Sequence, residues 1–281
     1  MLYPVSKKAV EPRFLGGQPI DIDPGADRRV QFALWLTAKD NPFFARAMAN
    51  LIWRNMMGRG IVNPVDDLRE TNPPTHPALL DALAKELANH NFDQKHLVRL
   101  IANSQTYQRS WQANETNKLD FKYYSRAYPK RLMAEVYMDA LAQVTGVPET
   151  FKDWPEARRA VQLPDNRYNS YFLEVFQRSS RLVICDREEN VTVTQALHSL
   201  NGPDMQNKLA SADGKVTQWM DSGLSDSAIL DEMFLSTLSR YPSAKEKDQL
   251  LTRVGAAKSK REVWEDLLWA MLSSKEFQFN H

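Results

Sequence analysis

The densest group of residues able to do chemistry is the run Asn63-Pro64-Val65-Asp66-Asp67-Leu68-Arg69-Glu70-Thr71-Asn72-Pro73-Pro74-Thr75-His76. Two carboxylates a few ångströms apart push one pKa upward, so that one can serve as acid and the other as base. An imidazole nearby can join them in holding a metal or in dividing those roles. Asp66, Asp67 and His76 are therefore the candidate catalytic residues, with Arg69, Asn72 and Trp53 as candidate binding residues. A plainer reading is structural: Asp66 and Asp67 accept backbone amides in turns, and Arg69 makes an ion pair that fixes the loop. The loop is expected to fold back so that Asp67, Arg69 and His76 share one polar cluster against the start of the next helix. Arg69 can grip a carboxylate with two N–H groups, and His76 is restrained by Pro77.

The remaining polar groups offer less. Asp21, Asp23 and Asp27 surround Gly25, but D-x-D-x-G-x-D is not the spacing of an EF-hand calcium loop, and turn formation and helix capping explain them. His90 and His96 straddle a turn between two helices; no spacing forces their rings together, and they read as surface or capping histidines, while His198 lies next to Asn201-Gly202. Cys185 follows Leu182-Val183-Ile184 and reads as a buried structural thiol, slow to react. No G-x-S-x-G, H-E-x-x-H, P-loop or dinucleotide-binding glycine pattern occurs, so no metal and no cofactor is assigned. Most of the seven tryptophans fall within amphipathic segments and read as core, whereas an exposed Trp111 or Trp154 would mark a partner surface.

The elements that must position these residues read as helices. Pro4, Pro12, Pro19 and Pro24 with Gly16, Gly17 and Gly25 deny a helix to residues 1–26, which form an extended arm held down by Phe14 and Leu15. From Asp27 onward Val30, Leu34, Trp35 and Leu36 recur at helical spacing. Asn41-Pro42 opens a second helix ending at Gly58, Thr75 caps a third with Leu79, Leu80, Leu83 and Leu87 on one stripe, and Asp93 caps a fourth. Pro129 opens a fifth, which Gly146 closes. Further helices are expected near 171–176, 194–200, 226–239, 244–254 and 261–274, with Ser243 and Glu246 as a capping box. Leu182 to Cys185 is the most strand-like run, and no sheet of consequence is expected. The fold class is all-α: a compact multi-helix bundle with long proline-rich loops, divided into the arm 1–26 and a single helical domain 27–281 with possible sub-lobes 27–110 and 123–281.

Composition narrows the function. With 43% apolar residues in 281 the chain can build a real core. The 36 basic and 35 acidic side chains leave a formal charge of +1 and no basic block, which disfavours nucleic acid as a partner. No apolar run is long enough to span a bilayer. A single cysteine rules out an internal disulfide or a multi-cysteine metal site.

Ordered blocks of sequence carry a resemblance. They are Pro12-Arg13-Phe14-Leu15-Gly16-Gly17, Asp23-Pro24-Gly25-Ala26-Asp27-Arg28-Arg29, Asp40-Asn41-Pro42-Phe43, Gly58-Arg59-Gly60-Ile61-Val62, Pro64-Val65-Asp66-Asp67, Asn72-Pro73-Pro74-Thr75-His76-Pro77, Arg131-Leu132-Met133-Ala134-Glu135, Leu238-Ser239-Arg240-Tyr241-Pro242 and the closing Ser274-Lys275-Glu276-Phe277. Together they resemble the C-terminal domain of unknown function in large planctomycete proteins that often carry a cytochrome-c-like domain. The resemblance implies an extracytoplasmic location (periplasmic or cell-surface), a longer exported parent whose other domains are partners, and Met1 as an internal start. The Cys-x-x-Cys-His that binds c-type haem is absent from this sequence, so this module is expected to hold no such haem. The sequence departs from the family pattern at Leu51 and Met138, where arginines are usual, and at Val183, where many members have a cysteine. Two functions follow: an interaction or scaffold module with a protein or glycan partner, or a hydrolase-like or lyase-like enzyme acting on an extracellular polymer through the loop from Asp66 to His76. A deep pocket holding Asp66, Asp67 and His76 would favour the enzyme, and a flat aromatic surface the module.

Overall fold

The computed structural model describes residues 4–8, 11–18, 20, 22–23, 25–152, 154, 159–164, 168, 170–178, 192, 194–195 and 202–280. The expected strand-like run Leu182 to Cys185, the thiol within it and His198 lie outside the described residues. The described chain is predominantly helical and divides into two units, Met1–Tyr128 and Pro129–His281.

In the first unit Asp27 caps helix α1 (Arg28–Leu36), its carboxylate accepting the Arg29 amide at 2.9 Å. This helix buries none of its own residues. It is joined to the arm through Phe14, whose ring stacks flat on Trp35 at 4.8 Å and 3°. Leu15, expected to help, is 69% exposed, because it stands at the corner of a turn closed by the Gly17 amide donating to the Phe14 carbonyl at 3.0 Å. Helix α2 (Phe44–Met57) starts later than the Asn41-Pro42 signal indicates. Asn41 does act as the cap acceptor, but for the amides of Phe43 and Phe44 at 2.9 and 3.0 Å, in a turn that precedes the helix. Gly58 ends α2 with φ 81°, a left-handed conformation that costs a residue without Cβ nothing.

Helices α3 (Pro77–Asn89) and α4 (Gln94–Ala102) pack against α2. Their apolar stripes, Leu80, Leu83 and Leu87 on α3 and Leu97 and Ile101 on α4, close over Ala49, Ile52 and Trp53 of α2. Burying each of these leucines contributes about 1.5–3 kcal/mol before side-chain entropy is counted. Thr75 was the expected cap of α3, yet His76 occupies the cap position and the Thr75 hydroxyl donates instead to the Ile61 carbonyl at 3.1 Å.

The second unit opens differently from the Pro129 signal. Residues Lys130–Arg131 (β1) pair antiparallel with Phe279–Asn280 (β2), so helix α5 (Ala134–Thr145) begins only after the strand. Gly146, at φ 73°, ends α5. A short α6 (Tyr171–Val175) follows, then α7 (Pro203–Leu209), α8 (Lys215–Asp221), α9 (Asp226–Leu238), α10 (Ala244–Gly255), α11 (Lys260–Leu272) and α12 (Lys275–Gln278). The Ser243–Glu246 capping box at the start of α10 is formed, and Arg240 grips both Glu246 and Glu276. The core of this unit runs from Tyr137 and Leu141 of α5 to Leu230 and Met233 of α9 and Trp264 and Leu268 of α11. No helix among the described residues is long and apolar enough to cross a membrane.

Candidate functional site

The loop from Gly58 to His76 is ordered mainly from beneath, by one side chain. Asn50 of α2 is fully buried and serves three backbone groups: its amide nitrogen donates to the carbonyls of Val62 and Val65, both at 3.0 Å, and its oxygen accepts the Val62 amide at 2.9 Å. Gly60 permits this approach, since a Cβ there would stand 2.3 Å from the Val62 carbonyl oxygen.

Asp67 and Arg69 form the expected pair, a two-pronged contact at 2.6 and 2.8 Å that holds the Asp67 carboxyl below the usual carboxylate range. Asn72 steadies the same turn by donating to the Asp67 carbonyl at 2.9 Å. Asp66 is exposed beside it. His76 does not share their cluster in the contacts it makes: its Nδ1 meets the Thr75 hydroxyl at 3.1 Å and its ring faces Tyr123 and Tyr124 at 5.9 and 6.0 Å. The expected cluster of Asp67, Arg69 and His76 is therefore corrected to two separate groups. The Asp67 carboxylate is engaged locally by a partner two residues away, while His76 sits where the chain turns into α3.

His76 belongs to a cleft of about 690 Å³ within the first unit, whose wall includes Trp53, Glu86, Arg109, Tyr123 and Tyr124. That volume suits a small ligand or a short polymer segment. Neither Asp66 nor Asp67 lines it. Of the three candidate binding residues only Trp53 does, as a buried floor standing edge-on to Tyr124 at 5.3 Å.

The tyrosines were missed in the sequence, where residues 110–122 read as a polar connector. Asp120 is what sets them. Its carboxylate accepts the amides of Lys122, Tyr123 and Ser125 and the Ser125 hydroxyl. Burial pushes this carboxyl up, but the hydrogen bonds from Ser125, Tyr123 and Lys122 outweigh it and hold it well below the usual range. The turn leaves Tyr124 left-handed at φ 57° and buried, its hydroxyl donating to the Gly60 carbonyl at 2.8 Å. Burial pushes the Tyr124 phenol up to about 12. Tyr123 stays 59% exposed at the mouth of the cleft. An acidic residue followed within five positions by three aromatics and a serine, Asp120-Phe121-Lys122-Tyr123-Tyr124-Ser125, was the available signal.

A second cluster stands at the end of α3. The chain leaves this helix through a turn in which the Phe92 amide reaches the Leu87 carbonyl at 2.8 Å and the Asn91 amide the Ala88 carbonyl at 3.3 Å, with both residues left-handed. Asp93 then caps α4 at once, accepting the amides of Lys95 and His96. So short a reversal lays the two imidazoles face to face, with His90 and His96 stacked at 3.8 Å and 17°. Both sit at helix ends as the sequence indicated, yet the tertiary turn also brings them together, which spacing alone did not require. Glu86 lies between them, its Oε1 at 2.8 Å from His96 Nε2 and 3.3 Å from His90 Nδ1. The Glu86 carboxyl is held below its ordinary value, chiefly by the hydrogen bond from His96.

Fold and site thus define a predominantly helical protein with an aromatic cleft in its N-terminal unit and no gathered Asp–Asp–His centre in the loop. The chain belongs to the PSD1 family, described as a protein of unknown function (DUF1553), whose pattern matches residues 28–254. No curated protein and no solved structure matches the chain.

Proposed function

We propose that this chain is a binding module whose cleft takes a glycan segment, and that it serves as the interaction domain of a longer extracytoplasmic protein. One observation carries this reading: the cleft of about 690 Å³ sets an exposed tyrosine, Tyr123, above an aromatic floor of Trp53 and Tyr124. Asn103, Ser104 and Thr106 add hydroxyl and amide groups along its wall. A sugar ring offers an apolar face for the tyrosine and hydroxyls for such a wall, the mixture of apolar body and few polar anchors that ligand sites use. The near-neutral charge of the chain agrees with an uncharged ligand. The scaffold role within an exported parent, alongside a cytochrome-c-like domain, rests on the sequence resemblance.

The enzymatic alternative draws no support from the loop, because Asp66 and Asp67 do not meet His76 across a pocket. The test is titration calorimetry of the full chain against a panel of neutral oligosaccharides, repeated with Tyr123→Ala. Loss of one stacked ring should weaken binding about tenfold, a difference of about 1.4 kcal/mol, with the Tm unchanged. Absence of binding across the panel, or binding indifferent to Tyr123→Ala, would reject the reading.

A further inference from the structure

We infer that Glu86, His90 and His96 form a binding site for a late first-row divalent cation of the zinc class. The three offer one carboxylate oxygen and two imidazole nitrogens, all within 4.8 Å of one another, the one such group among the described residues. In a tetrahedral zinc site with ligand bonds of about 2.0–2.1 Å, neighbouring donor atoms stand about 3.3 Å apart. Glu86 Oε1 stands 3.3 Å from His90 Nδ1 and 2.8 Å from His96 Nε2, and a turn of the stacked rings about their side-chain bonds brings both nitrogens around one ion.

Three further observations support the assignment. The two rings already lie against each other, stacked at 3.8 Å and 17°, so both imidazoles sit together beside the Glu86 carboxylate. The donors are also held before any ion arrives: His90 closes α3, His96 follows the Asp93 cap of α4, and the double left-handed turn fixes one against the other. Finally, turning His90 Nδ1 from the Glu86 carbonyl (3.0 Å) toward an ion orphans nothing, because that carbonyl also accepts the His90 backbone amide at 3.1 Å.

The donor set selects the metal. Nitrogen ligands suit zinc, cobalt, nickel or copper, whereas calcium and magnesium take oxygen. Three protein ligands leave a fourth position for water, since His90 is exposed. Bound there, the ion clips the end of α3 to the start of α4 at the wall of the cleft, which Glu86 also lines. This inference stands on the cluster alone and does not depend on the glycan reading.

Calorimetric titration of the full chain with zinc chloride, together with the visible spectrum of the cobalt(II) form, tests it. The expected result is one ion per chain, ligand-field bands of a low-coordinate nitrogen–oxygen site, and a rise in Tm on adding zinc. His90→Asn and Glu86→Gln should each weaken zinc binding about tenfold or more, because even changes one shell further out have that effect. The pair His90→Ala and His96→Ala should abolish it while His76, His198 and His281 remain. Circular dichroism checks that these variants fold, and His90→Asn, on an exposed ring, keeps the test valid if the double variant does not. Failure of the unaltered chain to bind zinc, zinc binding that survives His90→Asn undiminished, or equal binding of magnesium would each overturn the proposal.

Discussion

Asn50→Ala should be the most damaging single change to the candidate-site loop, even though Asn50 lies in α2 and outside that loop. The substitution removes three hydrogen bonds at once. Two of the orphaned groups, the Val62 amide and carbonyl, are buried, and the third, the Val65 carbonyl, is half-buried and can be reached by water. Each buried group left unpaired costs about 1–3 kcal/mol, so the pair gives about 2–6 kcal/mol, and relaxation of the loop trims the upper end to about 4 kcal/mol. At roughly 3 °C per kcal/mol, Tm should fall by about 6–12 °C. Asn50→Asp separates hydrogen bonding from packing. It keeps the shape but turns an oxygen toward two carbonyls, and should be at least as destabilising, whereas a cavity effect would spare it. Thermal melting followed by circular dichroism measures the loss, and hydrogen exchange at the Val62 amide locates it. A fall in Tm below about 2 °C, with the Val62 amide still protected, would refute the reasoning.

Asp67→Ala should move Tm far less than Asn50→Ala, because its partner Arg69 is 76% exposed and water replaces the pair readily; a loss as large as that of Asn50→Ala would show that the pair, and not Asn50, holds the loop. Tyr124 makes an alkaline prediction: its folded pKa of about 12 lies above the ordinary 10, so its contribution to stability is complete below pH 10 and is lost as pH rises from 10 towards 12. Tyr124→Phe should flatten that alkaline loss while lowering stability at neutral pH by about 1–3 kcal/mol, since the buried Gly60 carbonyl loses its donor; urea unfolding at pH 7.5 and 10.5 measures both.

What the sequence determined by itself is what short-range chemistry controls. Asp27, Asp93 and the Ser243–Glu246 pair cap helices because each acceptor sits two or three residues from the amide it serves. Gly58 and Gly146 end helices because left-handed backbone is cheap for glycine. The apolar stripes of α3 and α4 likewise follow from spacing alone. The Asp67–Arg69 pair was legible for the same reason, its partners being two residues apart.

Only the tertiary structure decided the rest. Asn50 reads as one more polar residue in a helix until the chain returns 12 to 15 residues later and sets Val62 and Val65 against it. The cleft joins Trp53, His76 and Tyr123, which no local pattern relates. His90 and His96 meet because two successive left-handed residues, Asn91 and Phe92, fold the chain back between two helix caps. Helix ends depend on a few bonds within one turn, whereas a site depends on where separate elements come to rest, and that is set by the burial of apolar side chains summed over the whole unit.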